Sequence, residues 1–275
     1  AIGSYAMSGC VELVKYRFAP FTQSVGTYAF AYNTKLGSII NFENTSVSQI
    51  SDCMFLECSS IYEIMVPNTI ITVGEGAFSG CIKLASIDLS KTKTSTIGVK
   101  AFAYCDNLST IQCPTTLTII DDGAFREDKN LRSVQNLEKT VVTKISYGVF
   151  ESCSNLSSVK LPQTLSTLGE SAFDGCSNLS AVAGFENTLV TILEARTFAN
   201  CSSLTTLSLA RGLTEIKKEA MIGCLVLRNL DSLSTTKVTK IGESAFKDTA
   251  GLTSISLPSS TFVSFGQNSF ENSGT

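Results

Sequence analysis

The chain has 275 residues, 21 Lys and Arg against 24 Asp and Glu, a net charge of −3 and a pI near 5.2. It therefore offers no basic footprint for nucleic acid or an anionic membrane surface. Histidine is absent, which excludes Ser-His-Asp and Cys-His nucleophile systems and histidine-ligated metal sites.

Only 16% of residues are charged, against about a quarter in an average chain; 37 Ser and 30 Thr fill the difference. The apolar fraction of 43% and mean hydropathy of +0.21 supply ample material for a core. No run reaches the roughly 18 apolar residues needed to cross a membrane, and Ala1–Ala6 lacks the basic and apolar regions of a signal peptide.

In chain order, an aromatic residue or Met recurs at Met7, Phe30, Phe55, Phe78, Phe102, Phe125, Phe150, Phe173, Phe198, Met221, Phe246 and Phe270, at intervals of 23 to 25. Further apolar columns lie six and nine residues after each anchor, as at Leu84 and Ile87, and five before it, from Ile2 to Phe265. A fixed period of this length marks a stacked repeat protein. Each unit reads roughly Ile-Gly-x-x-Ala-Phe-x-x-Cys-x-x-Leu-x-x-Ile-x-Leu-Pro. The Leu-x-x-Ile half predicts one short parallel strand per repeat, and the Gly-x-x-Ala-Phe half has room for a helical or 3-10 turn opposite. Units of 23 residues alternate with longer ones. Four of the five short units carry Pro after the strand (Pro20, Pro67, Pro114, Pro162), where it ends the ladder. The longer units carry inserts such as Asn41–Thr45 and Gly184–Thr188, expected to emerge along one edge; drift in loop length during duplication is the plainer account of them than a ligand read there.

These units resemble the BspA-type leucine-rich repeats, a short "type 5" class, most closely in Ile97-Gly98-Val99-Lys100-Ala101-Phe102-Ala103-Tyr104-Cys105-Asp106-Asn107-Leu108 and in Leu168–Leu179. The fold expected is an α/β solenoid, a right-handed leucine-rich repeat superhelix of about 11 repeats with its parallel sheet on the concave face. The chain opens and stops mid-unit without a polar capping repeat, so residues 1–275 read as one solenoid, a fragment of a longer repeat protein. The resemblance implies surface proteins of bacteria and parasitic protists that act in adhesion, matrix binding or host contact. It carries over no catalytic residues and no cofactor.

Eight of the ten Cys sit three residues after an anchor (Cys10, Cys58, Cys81, Cys105, Cys153, Cys176, Cys201, Cys224), with Asn33 and Asp128 among the exceptions. A single column of thiols, one per coil, neither converges on a metal nor joins different columns as disulfides do. It reads as reduced, buried packing with a weak hydrogen bond per thiol. Asn44, Asn107, Asn155, Asn178 and Asn200 open glycosylation sequons; most serve the repeat's own turn, and Asn44 is the best acceptor candidate. Asp121 and Asp122 sit at a turn between repeats without a partner motif, so no enzyme is expected.

Leucine-rich solenoids bind through the residues flanking the buried strand centre. Here those are small and polar, as in Ser86/Asp88, Thr110/Gln112, Ser133/Gln135 and Ser158/Lys160. The N-terminal repeats differ, presenting Arg17, Ile40, Tyr62 and Met65, residue types typical of interaction sites. The candidate binding set is therefore Arg17, Ile40, Tyr62, Met65, Asp88, Gln112, Gln135 and Lys160, and the expected ligand is a protein or glycan of host or matrix. The expected place is the cell surface or the exterior, with signal and anchor outside this chain. The alternative is a cytoplasmic scaffold, which unpaired thiols favour. The oligomeric state stays open.

Overall fold

A unit of two dozen residues cannot enclose its own apolar side chains, so successive units must lie against one another and share a core. The computed structural model describes residues 1–259 and 263–274. It meets that demand with a parallel β-solenoid of about eleven turns. The chain divides into two compact units, Ala1–Thr140 and Val141–Thr275.

In the first unit the expected face strands form. Lys15–Arg17 pairs with Ser38–Ile40, and Ser86–Asp88 pairs with Thr110–Gln112, which pairs with Ser133–Gln135; all are parallel. Ile87, Ile111 and Val134 lie in register and buried. A second ladder joins the two-residue strands Gln49–Ile50, Thr72–Val73, Thr96–Ile97 and Ile119–Ile120. It lies outside the one strand per repeat that the pattern predicts. In the second unit the face strands Ser158–Lys160 and Ala181–Ala183 pair, Thr206 bridges Asn229, and the second ladder runs from Lys144–Ile145 to Thr167–Leu168 and from Ile192–Leu193 to Ser264–Phe265.

The α/β part of the expectation is not confirmed. Among the described residues there is no α-helix, only the 3-10 segments Phe42–Asn44, Leu137–Lys139, Phe185–Asn187 and Asp231–Thr235. The reason lies in where the turn's amides go. Gly76, Phe78 and Gly80 donate to Val99, Ala101 and Ala103 of the next coil at 2.9, 2.7 and 3.0 Å, and Lys100, Phe102 and Tyr104 donate onward to Asp122, Ala124 and Arg126. Residues two before and two after each anchor are left-handed, as at Lys100 (φ 50) and Tyr104 (φ 62). A segment that alternates handedness and bonds between coils cannot close the i to i−4 bonds of a helix.

The inserts also differ from solvated loops. Three of them begin on a left-handed residue (Asn41, Asn136, Gly184) and turn a large side chain inward, so Phe42, Leu137 and Phe185 are fully buried. Thr45 Oγ1 then donates to Phe42 O at 2.7 Å and closes the turn.

The anchors form stacked ring files. Phe55–Phe78, Phe78–Phe102 and Phe102–Phe125 have centroids 5.4, 5.3 and 5.4 Å apart and planes 17°, 6° and 1° apart; Phe150, Phe173 and Phe198 repeat the geometry in the second unit. Beside them runs the thiol file. Cys58, Cys81, Cys105, Cys176, Cys201 and Cys224 are buried and free, and each Sγ donates to the carbonyl of the preceding coil's anchor at 3.0–3.2 Å. Cys153 and Cys113 are buried too, whereas Cys10 is exposed and Cys53 half-exposed.

Close approach of the coils explains the glycine that precedes several of the turns. At Gly242 an added Cβ would stand 2.6 Å from Lys217 C and Lys218 N, both backbone. Gly242→Ala should therefore cost about 1–3 kcal/mol, the usual range for overpacking, read from the urea midpoint. Gly3→Ala, where nothing lies within 4 Å, should leave that midpoint in place.

Asp128 occupies the thiol file without a thiol's fit. It is fully buried; Oδ1 accepts the Cys105 N–H at 2.8 Å and Oδ2 has no partner. Burial raises its carboxyl well above the ordinary value. A raised folded pKa means the folded state holds a proton that the unfolded state releases. Stability is thus greatest below the ordinary carboxylate range and falls as pH rises through that range toward the raised value. Asp128→Cys, which restores the column, should gain on the order of 1–3 kcal/mol at pH 7. The gain should shrink below about pH 3, where the acid is neutral in both states; denaturant melts at the two pH values read the difference.

Ion pairs in the second unit join neighbouring coils. Arg196 bridges Asp174 and Glu219 at 2.8 and 2.6 Å, and Lys217–Glu194, Lys240–Glu215, Lys218–Glu243 and Lys247–Glu271 lie at 2.6–3.1 Å.

Candidate functional site

The face strands place the candidate residues as their alternation demands, centre in and flanks out. Arg17 is exposed and stands in register beside half-buried Ile40. Asp88, Gln112 and Gln135 form one continuous file across three strands. Lys160, in the second unit, stands beside Ala183. Met65 is 68% exposed and Tyr62 52% exposed.

In the first unit one coil departs from the pattern. Glu63–Met65 occupies the face-strand position between Ser38–Ile40 and Ser86–Asp88 yet forms no strand. The Ala85 N–H still reaches Tyr62 O at 3.1 Å. Among the described residues, the backbone of 63–66 makes no hydrogen bond to a neighbouring coil. Beside this gap opens a recess of about 300 Å³ lined by Glu43, Ile64, Met65, Val66, Asn68, Asp88, Lys91 and Thr92.

The recess brings together two of the sequence candidates, Met65 and Asp88. Arg17, Ile40, Tyr62, Gln112, Gln135 and Lys160 do not line it. Sequence reasoning missed Glu43, Val66, Asn68, Lys91 and Thr92. No sequence signal marked them: Glu43 follows Phe42 on the first 3-10 segment, and the others lie shortly after face-strand positions. A shallower hollow of about 240 Å³ at Thr206, Leu207, Ser208, Asn229 and Ser232 marks the same defect in the second unit, where the strand shrinks to a single bridge.

Other surface features carry less chemistry. Around Glu215, Lys217, Lys218 and Lys240 a hollow of about 330 Å³ has its lysines already ion-paired. Tyr5 stacks on Tyr28 at 4.9 Å, and a hydrogen bond with Cys53 pushes the Tyr28 phenol up to about 12. Burial pushes the Cys113 thiol up to about 12, so it is no nucleophile at neutral pH. Asn44 is exposed, and its Nδ2 donates to Glu43 Oε1 at 3.1 Å. Among the described residues no group of three or more metal-ligating side chains gathers, and no helix is long and apolar enough to cross a membrane.

The family model for the BspA type leucine rich repeat region matches residues 1–95, 32–142, 95–224 and 184–275. The chain belongs to the BspA-type leucine-rich repeat family. Among solved structures, a leucine-rich repeat protein from Bacteroides ovatus is 25% identical over 99% of this chain and 80% of its own, with a TM-score of 0.58. The T. pallidum leucine-rich repeat protein is 25% identical over 65% of this chain and 70% of its own, at 0.51. One from Eubacterium ventriosum shares the fold at 18% identity and 0.57, over 99% and 80%. No curated protein matches the chain. Leucine-rich repeat regions are typically non-enzymatic repeat scaffolds.

Proposed function

We propose that this BspA-type region is a non-catalytic adhesion module at the cell surface, binding a host protein, matrix component or glycan through its face strands. The observation that carries the reading is the break in the face ladder at Glu63–Met65, with Met65 and Tyr62 exposed beside a recess. Exposed apolar and aromatic groups at one locus of an otherwise small and polar face favour contact with another molecule. Surface labelling of intact cells, followed by a binding screen against matrix proteins and glycans, tests it. Tyr62→Ala and Met65→Ala should weaken whatever binds more than Ser158→Ala and Ser208→Ala do, and equal effects would overturn the assignment of the face.

A second reading, an intracellular scaffold, is favoured by the free thiols, since exported proteins commonly pair theirs. Burial shields this file from oxidants, which weakens the objection. Intracellular location with no binding in either class would establish the scaffold.

A further inference from the structure

We propose that the recess beside Met65 takes a cationic side chain with an aliphatic stem, arginine or lysine, presented by a protein ligand; this rests on reading the face as a protein-binding surface. Three observations converge. Part of the wall is apolar, formed by exposed Met65 and half-buried Val66. Two carboxylates reach it from different coils, Glu43 on the insert and Asp88 at a strand end. Each has one oxygen already held: Glu43 Oε1 accepts from Asn44 Nδ2 at 3.1 Å, and Asp88 Oδ1 accepts from the Ser90 N–H at 2.8 Å. The second oxygen of each has no partner among the described residues.

Lys91 is the single cation of the lining, and it forms no ion pair among the described residues. The recess therefore carries net negative charge over an apolar wall. A long cationic side chain answers both features, because its methylene stem covers apolar surface while its head stays at the carboxylates. A carboxylate ligand would meet two like charges, and a purely aliphatic one would leave both oxygens without a partner. The volume admits one such side chain rather than an element of secondary structure. Since exposed ion pairs contribute little by themselves, the stem supplies much of the affinity and the carboxylates supply the sign.

The four methionines make the test direct, for Met54 and Met221 are fully buried while Met65 lines the recess. The full chain, labelled with carbon-13 at its Met methyls, is titrated with N-acetyl-arginine amide, N-acetyl-norleucine amide or N-acetyl-glutamate amide. The arginine probe should shift the Met65 methyl saturably, the norleucine probe more weakly and the glutamate probe not at all. Glu43→Gln with Asp88→Asn should weaken the arginine probe about fivefold. Lys91→Ala should tighten it about twofold, by removing the competing cation. An unmoved Met65 methyl, a glutamate probe that binds as well as arginine, or weaker arginine binding to Lys91→Ala would each overturn the proposal. An unmoved methyl, with capture of a matrix protein still lost in Tyr62→Ala, overturns the pocket and leaves the adhesion reading standing. A saturable shift, in a chain that captures no matrix protein or glycan, supports the pocket and removes the adhesion reading.

Discussion

Raising the pH from 8 to 10 under reducing conditions should unfold the protein. Burial lifts seven thiols, those of Cys58, Cys81, Cys105, Cys113, Cys176, Cys201 and Cys224, above the ordinary 9.0, with Cys58, Cys113 and Cys224 reaching about 12. A raised folded pKa contributes stability that is fully present below pH 9 and is lost as pH climbs from there toward the folded value. Each thiol then forfeits about 1.4 kcal/mol per pH unit. At pH 10 the seven together forfeit on the order of 10 kcal/mol, the size of a whole domain's stability. Guanidinium melts at pH 7, 9 and 10 measure the slope. Cys81→Ala with Cys201→Ala should lower stability at pH 7 but flatten the alkaline slope by about two protons. An unchanged slope in that double variant would show that thiol burial is not its source.

Phe102→Ala should cost about 3–5 kcal/mol, the largest effect expected of any single substitution here. The ring is fully buried and stacked on both sides, by Phe78 and Phe125. Its loss empties a slot whose walls are the neighbouring coils' own rings, and those are held in place by backbone bonds from Phe78 to Ala101 and from Phe102 to Ala124. The slot cannot collapse without breaking those bonds, so most of the cavity persists. Phe102→Met should cost only about 1 kcal/mol, because Met221 already fills the same slot, fully buried, in the second unit. Urea midpoints of the two variants give the ratio, and similar costs would mean that ring stacking, not volume, sets the slot's stability.

The repeat, the buried strand centres and the thiol file are legible in sequence because each depends on one residue type returning at one interval. Handedness at the turn is not. Left-handed backbone is expected of glycine, and Gly76 and Gly80 conform, but Tyr28, Lys100, Glu127 and Arg196 adopt it as well. Such side chains announce nothing about φ; bonds to the next coil impose the conformation. Phe42 was hidden for a related reason, since its insert reads as polar although one ring in it completes the core. Of the candidate site, Met65 and Asp88 could be read from their flanking positions. Glu43 and Lys91 could not, because only the missing strand at Glu63–Met65, whose residues look like ordinary strand formers, opens the hollow they share.

The ion pairs of the second unit set a problem of order rather than of strength. Every coil offers its neighbours nearly the same ring, thiol and strand, so apolar packing alone would accept the coils in many sequences. Glu194 meets Lys217, Glu215 meets Lys240, and Arg196 sits between Asp174 and Glu219. These contacts are partly exposed and individually weak, yet exchanging two coils would part several of them at once. They act as an address written along the stack. During folding of a chain built from near-copies, that address discriminates the true neighbour from a look-alike one period away.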